Sequence, residues 1–526
     1  MANKNLNDIK LHIELNERFQ KALNLMENTR ANIFVTGKAG TGKSTLLTYF
    51  RSITKKNVVI LAPTGVAALN IKGQTIHSFF KFQPNITVDT VKKRFSKENE
   101  KSVYKLLDAI VIDEISMVRA DLLDCIDRFM RLNGKTSSLP FGGAQMIFIG
   151  DLYQLPPVVT GSEREIFRTH YKSQYFFDAH MFSDFSMEFI ELEKHYRQTD
   201  QDFITLLNAV RNNSITETQL EKINRRYNPE FSPNTNDFYI SLTTTNKLAD
   251  EINQMHVSKL TTKPYTFYAH TQGDFDSNLQ PAAKELVLKV GSQVMLLNND
   301  QAGRWVNGSI GKISKISQNE DQEDTITVAL TEGIQVAVTP HTWELFKFSY
   351  DQKEKKLISD TVGMFTQYPL MLSWAVTIHK SQGKTFEQVM IDIGKGTFVH
   401  GQMYVALSRC KTLTGIVLKK KLEKKHIFMD WRVVKFVTKY QYGISEEKLS
   451  LEEKIQLIRE AIREHKKLDI IYLKANDEKS KRTIEPSFVG EMEYLGKQYI
   501  GVIGFDSKRK EDRNFRVDKI LEMTLV

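Results

Sequence analysis

The eight residues GKAGTGKS, Gly37 to Ser44, point most directly to chemistry. A glycine, four free positions and then Gly42-Lys43-Ser44 form the pattern of a loop that wraps a phosphate chain. Glycines let main-chain N–H groups turn inward, and a following helix adds partial positive charge at its N-terminus. Lys43 would neutralise β- and γ-phosphates, and the Ser44 hydroxyl would ligate Mg²⁺. Ala39, Gly40, Thr41 and Thr45 complete the cradle. Further on, AIVIDEISMV (109–118) is an apolar run ending in two carboxylates. Asp113 can hold Mg²⁺ through water, and Glu114 can orient and deprotonate the attacking water. In MIFIGDLYQLPPV (146–158), Gln154 can hydrogen-bond a γ-phosphate and report its loss, or sit in a polar turn without a ligand. These residues together imply binding and hydrolysis of a nucleoside triphosphate.

Each of these residues needs an element to hold it. ANIFVTG before the loop reads as a strand, and STLLTYF after it has helical spacing. VVILA (58–62) is a buried parallel strand by its continuity. In an open α/β sheet the loops at strand carboxyl ends form the ligand face, so Thr64, His77 and Ser78 are candidates to touch a second ligand. Phe79, Phe80 and Phe82 suit either base stacking or a core aromatic cluster. Residues 11–29 have helical spacing; Phe19 and Gln20 sit either where an adenine would be read, or in the core and on the surface respectively.

With 526 residues, the chain has room for three or four domains, and a hydrophobic fraction of 41% supports ordinary cores. Lys and Arg number 73 against 63 acidic residues, a net charge of +10 that suits a polyanionic partner or simply a soluble basic protein. Cys125 and Cys410 form no metal-type cluster and suit buried thiols. The first ten residues lack the apolar core of a signal peptide and no run reaches membrane-spanning length, so no membrane is expected and a cytoplasmic location is.

GKAGTGKS, APTGVAALNIKGQTIHSFF, VIDEISMV and GDLYQLPPV together resemble the PIF (petite integration frequency) DNA helicases of superfamily 1B. ELEKHYRQ, LTTTNKLADEIN, LKVGSQVMLLNN, WVNGSIGKI, PLMLSWAVTIHKSQGKTF and GQMYVALSRC continue the likeness in the family's order over roughly residues 13 to 420. The spacing to Gln20 departs from the family's glutamine pattern. The resemblance implies an α/β fold with two RecA-like P-loop domains, 1–198 and 199–311 with 361–442, and ATP and Mg²⁺ between them. It also implies that Arg197 and Arg409 reach the γ-phosphate and that Tyr404 helps hold ATP. For DNA it implies contacts at Thr64, His77 and Ser78 in the first domain, and at Thr245, Asn246, His379, Lys380 and Ser381 in the second. The activity implied is 5′→3′ movement on single-stranded DNA with unwinding of forked or structured DNA by a protein that is a monomer at rest. An RNA or RNA–DNA hybrid unwinder, or a regulatory ATPase centred on the C-terminal module, is the alternative.

Residues 312–360 alternate short β-rich runs with polar turns, and the family places a small β-barrel insertion there. Beyond about 442 the helicase likeness ends. SEEKLSLEEKIQLIREAIREHKKL reads as one amphipathic helix, and the short strands after it resemble a WYL domain over 443–526, with QYI (498–500) at the place of the tripeptide. From Gly443 onward there are 17 basic and 17 acidic residues, so the positive excess lies before that point. A nucleic-acid role for this module would rest on Arg482, Arg513 and Arg516, with Tyr494, Tyr499 and Phe515 as stacking surfaces.

Overall fold

The computed structural model describes residues 16–526 apart from 84, 95–102, 160–162, 195, 199, 235–236, 276, 301, 319–323, 332, 352–355, 395 and 398. The start of the helix expected over 11–29 lies outside the described residues; the rest of it is helical from Glu17 to Asn28. Phe19, Ala22, Leu23 and Met26 form its buried stripe, three or four residues apart as one helix face requires.

That stripe packs on a parallel sheet built from β1 (Ile33–Gly37), β2 (Val58–Ala62), β3 (Gln74–Thr75), β4 (Ala109–Ile112), β5 (Gln145–Gly150) and β6 (Glu188–Leu192). The strand order is β3-β2-β4-β5-β1-β6, and every pairing is parallel. Strands buried on both faces can be continuously apolar, which is why IFV, VVIL, AIVI and MIFI read so plainly. Their common direction brings the stretches after β1, β2, β4, β5 and β6 to one edge of the sheet. A second parallel sheet contains Ala375–Thr377, Ile240–Thr243, Val389–Asp392 and Ile416–Leu418, in that order.

The β-rich region is wider than 312–360. Strands Gln293–Leu296, Ile310–Gln318, Asp324–Leu330, Gln335–Val338 and Leu370–Leu372 form one antiparallel sheet. Its core takes in Phe267, Leu286 and Leu288 from a separate ribbon, Pro264–Tyr268 with Glu285–Lys289. A long hairpin, His341–Asp351 with Lys356–Gln367, pairs with His270–Gly273. Strands from 264 to 372 thus supply two cores, one under the antiparallel sheet and its ribbon and one of Phe275, Ala282, Trp343, Leu345 and Phe365 at the hairpin.

Phe428–Val526, joined by Asn208–Thr216, is a second compact unit. It holds a five-stranded antiparallel sheet in the order Glu511–Arg516, Lys497–Asp506, Lys479–Tyr494, Leu468–Leu473, Ile520–Leu525. The single helix expected at 445–468 is two helices, Trp431–Lys448 and Leu451–Arg463. Leu449 ends the first and Ser450 caps the second: the Ser450 hydroxyl accepts from Glu453 N, while the Glu453 carboxylate accepts from Ser450 N at 2.8 Å. Gly443 lies inside the first of these helices, so the chain has no natural break there. Ile458 and Ala461 of the second helix meet Leu468, Ile484, Val502 and Phe515 in the core.

Candidate functional site

The phosphate-loop residues follow β1, and their geometry comes from the glycines. Gly40 (φ 79°) and Gly42 (φ 89°) are left-handed, a conformation that is strained for any residue with a Cβ. At Gly40 space is lacking too, since a Cβ there would come within 2.5 Å of Arg197 Cβ. Tyr196 N donates to Gly40 O at 2.9 Å, so the segment after β6 is laid directly on the loop. Lys43 opens the helix Lys43–Ile53, and its Nζ donates to Gly37 O (2.6 Å) and Lys38 O (3.0 Å). Burial lowers its pKa, and the charges of Asp151, Glu114 and Asp113 work against that fall. Ser44 and Thr45 are exposed on the first turn of the same helix, and Thr41 is buried with its hydroxyl on Lys38 O.

Asp113 and Glu114 follow β4, and both carboxyls are pushed upward. Burial is the main cause for each; Glu114 is raised further by the charge of Asp113. Glu114 has φ 51°, a left-handed backbone at a non-glycine residue, a kind of conformation that clusters at functional sites. Beside them, Gln154 follows β5 and donates to Asp151 Oδ2 at 3.2 Å. Three carboxyls, those of Asp113, Glu114 and Asp151, act on this half-buried lysine. A hard divalent cation fits this all-oxygen set, with the Ser44 hydroxyl and Asp113 as the residues that would hold Mg²⁺.

The second parallel sheet faces this site with its own residues. Tyr404 lies on the buried helix Gln402–Ser408, and its Oη accepts from Ala39 N at 3.0 Å. Arg197 reaches the other way, donating to Gly383 O (3.2 Å) and Ser408 O (3.5 Å), while Gln198 donates to Ser408 O (3.1 Å) and Cys410 O (3.3 Å). Arg409 is only 1% exposed and donates to Val405 O, Ser381 O and Lys384 O, carbonyls of its own domain. Burial first, then the neighbouring Arg197 charge, push its pKa down to about 9. Gln382, not singled out in the sequence, donates at 3.2 Å to both Glu114 Oε2 and Gln154 Oε1. Its place in HKSQGKT, directly after three candidate contacts, was the one available sign. Gln20 is exposed and Phe19 is core.

A cleft of about 720 Å³ is lined by Pro63, Gly65, His77, Ser78 and Arg119 of the first domain and by Leu345 of the long hairpin. Burial, then the Arg119 charge, lower the His77 pKa, which favours a neutral imidazole. Thr64 N-caps the helix Gly65–Asn70 by accepting from Ala67 N, and Thr245 N-caps Asn246–Ser258 by accepting from Leu248 N. Both hydroxyls thus hold a helix start at a strand's carboxyl end, one in each parallel sheet. Asn246, His379 and Lys380 lie at the second sheet's edge and not among the cleft-lining residues. Ser381 is fully buried with its hydroxyl on Ile378 O, so its side chain serves the turn. Phe79 and Phe80 belong to an aromatic cluster with Tyr104 and Phe129, the core alternative, while Phe82 closes the same cluster and borders the cleft.

In the C-terminal unit the expected basic face does not form. Arg482 is 9% exposed and pairs at 3.2 Å with Asp506, which is wholly buried. The pair holds two strands together across the core edge, leaving Arg482 no freedom to meet a phosphate. Phe515 is likewise core. Arg516 pairs with Asp518 at 2.7 Å and lies over the Tyr499 ring; Arg513 pairs with Glu511 at 3.5 Å. Arg513 and Arg516 are three apart on one regular strand, which turns them to opposite faces.

Residues 10–221 match the PIF1-like helicase family model and 453–525 match the WYL domain. Across 416 residues the chain is 31% identical to the ATP-dependent DNA helicase Pif1 of Bdellovibrio bacteriovorus, covering 77% of this chain and 88% of that one. The chain belongs to the Pif1-like helicase family. Unliganded Pif1 from Bacteroides superposes with a TM-score of 0.74 at 36% identity, over 81% of this chain and 97% of that one. The same helicase bound to single-stranded DNA superposes with a TM-score of 0.59, again at 36% identity and with the same coverage of both chains. With these neighbours the two parallel α/β sheets are RecA-like, and the C-terminal β-rich unit is a WYL module.

Proposed function

We propose that the chain is an ATP-dependent DNA helicase that moves 5′→3′ along single-stranded DNA and opens forked or structured duplexes. The observation that carries this is the meeting of the two parallel-sheet domains at one site: a phosphate loop, an acid pair and Gln154 from the first, met by Tyr404 and Gln382 from the second. Lys43 would meet the phosphate charge, exchanging its main-chain carbonyl partners for phosphate oxygens. Glu114 would take the proton of the attacking water, a task that suits a carboxyl raised towards neutrality by burial. Bound Mg²⁺ supplies positive charge to the phosphate oxygens. Arg197 and Arg409 would stabilise charge that grows on the transferred group, and Gln154 would sense whether that group is present.

Because residues of both sheets meet at the nucleotide, a change of nucleotide state alters the distance between the DNA-facing edges. Thr64, His77 and Ser78 on one edge, and Thr245, Asn246, His379 and Lys380 on the other, would alternate their hold on the backbone. Hydroxyl, amide and amine contacts to phosphate carry no sequence information, which suits movement along any strand. Within the WYL module, Arg516 with Tyr499, and Arg513 on the opposite face, are the residues left to touch DNA. We take the β insertion as 264–372 and the C-terminal module as starting at Phe428. No helix among the described residues is long and apolar enough to cross a membrane, and we propose a nucleoid-associated monomer. The DNA helicases among its relatives favour DNA over an RNA substrate.

The test is ATP turnover with and without oligo-dT, followed by unwinding of forked duplexes carrying a 5′ or a 3′ tail. Stimulation by oligo-dT and unwinding from the 5′ tail are expected; turnover indifferent to DNA, or opening only from the 3′ tail, overturns the reading.

A further inference from the structure

We propose that Gln382 is a positioning residue that restrains Glu114 until single-stranded DNA engages the turn at 379–381, so that hydrolysis waits for DNA. This rests on the helicase reading above and names how its two sites communicate.

One side-chain NH₂ has two hydrogens, and Gln382 uses them on the two residues that matter most on the opposite wall. One goes to Glu114 Oε2 and one to Gln154 Oε1, both at 3.2 Å. Gln154 in turn donates to Asp151 Oδ2, so both ends of the sensor amide are engaged inside the protein. One oxygen of the Glu114 carboxyl is thereby tied to Gln382, and the sensor is turned towards protein partners. Re-aiming either residue at a nucleotide breaks or lengthens its bond to Gln382.

The turn that carries Gln382 is stiff. Ile378 N donates to Thr243 O, Ser381 N to Thr377 O and Gln382 N to His379 O. Arg409 clasps the same turn through Ser381 O and Lys384 O. A stiff turn moves as a body, so displacement at its exposed residue Lys380 reaches the amide two positions on. The chain also superposes better on the unliganded Bacteroides Pif1 than on its single-stranded DNA complex, with TM-scores of 0.74 and 0.59. The restraining bonds are thus seen in the arrangement nearer the DNA-free one.

Gln382→Met keeps side-chain length and removes both donors. ATP turnover is measured without DNA and at saturating oligo-dT, with oligo-dT affinity from anisotropy, thermal melting, and hydrogen exchange over 113–117, 151–154 and 379–384. Losing a hydrogen bond to a charged group corresponds to roughly tenfold or more in rate. The DNA-free rate of Q382M should therefore rise about tenfold and the stimulation ratio fall by the same factor. In the wild type, oligo-dT should alter exchange in all three segments; in Q382M only 379–384 should respond. An unchanged ratio overturns the proposal, as do DNA-free and DNA-saturated rates that fall together while 113–117 still responds. Should Q382M melt early, Gln382→Leu removes the donors with a different shape and must show the same loss of ratio. A wild type that DNA does not stimulate would instead sink the helicase reading itself.

Discussion

Gly40→Ala isolates the contact that lays the 196–197 segment on the phosphate loop. The new methyl would stand 2.5 Å from Arg197 Cβ, and the residue would keep a φ of 79°. Two separate terms follow. A left-handed alanine costs roughly 1–2 kcal/mol, and overpacking against backbone-near atoms costs roughly 1–3 kcal/mol. Together these give roughly 2–5 kcal/mol, which the loop relieves by moving away from Tyr196 and Arg197 and losing the Tyr196 N–Gly40 O bond. At about tenfold per 1.4 kcal/mol, nucleotide affinity should fall by roughly 30-fold or more. Titration of a fluorescent ATP analogue measures this, and the background in which it is done supplies the control. Arg197→Ala retains Cβ, so the Gly40→Ala penalty should be undiminished in it. Arg197→Gly removes Cβ, so the penalty should drop there to the left-handed term alone, about 1–2 kcal/mol. Equal penalties in the wild-type, Arg197→Ala and Arg197→Gly backgrounds would refute the contact.

Glu114→Gln should bind ATP and turn it over at least about 100-fold more slowly, since the attacking water loses its base; quench-flow sees this directly, and wild-type turnover would remove Glu114 from the role. Arg197→Ala and Arg409→Ala should each lower kcat by about 10³-fold while changing KM little, because the charge they meet is greatest in the transition state; steady-state kinetics at saturating DNA separate the two parameters. Arg482→Ala leaves the wholly buried Asp506 without its ion-pair partner, so the C-terminal unit should lose roughly 3–5 kcal/mol of stability, read in denaturant titration. DNA affinity that falls while stability stays unchanged would return Arg482 to a binding role.

What the sequence alone determined is local. A strand, a glycine loop and a helix occupy consecutive residues from Ile33 to Ile53, so pattern and spacing specify the phosphate loop without help from the rest of the chain. The acid pair and Gln154 were legible for the same reason, each directly following an apolar strand. Ser450 and Glu453 spelled a helix start three residues apart, although the charged run around them read as continuous. Tertiary structure decided whatever depends on a partner far along the chain. Gln382 meets Glu114 across 268 positions, and Tyr404 meets Ala39 across 365. The same holds for Arg482, which looks like a surface cation until Asp506 closes over it, and for Ser381, whose hydroxyl turns inward. A side chain's type states what it can bond, but burial and the facing element select which bond it makes, and those arise only when the sheets pack.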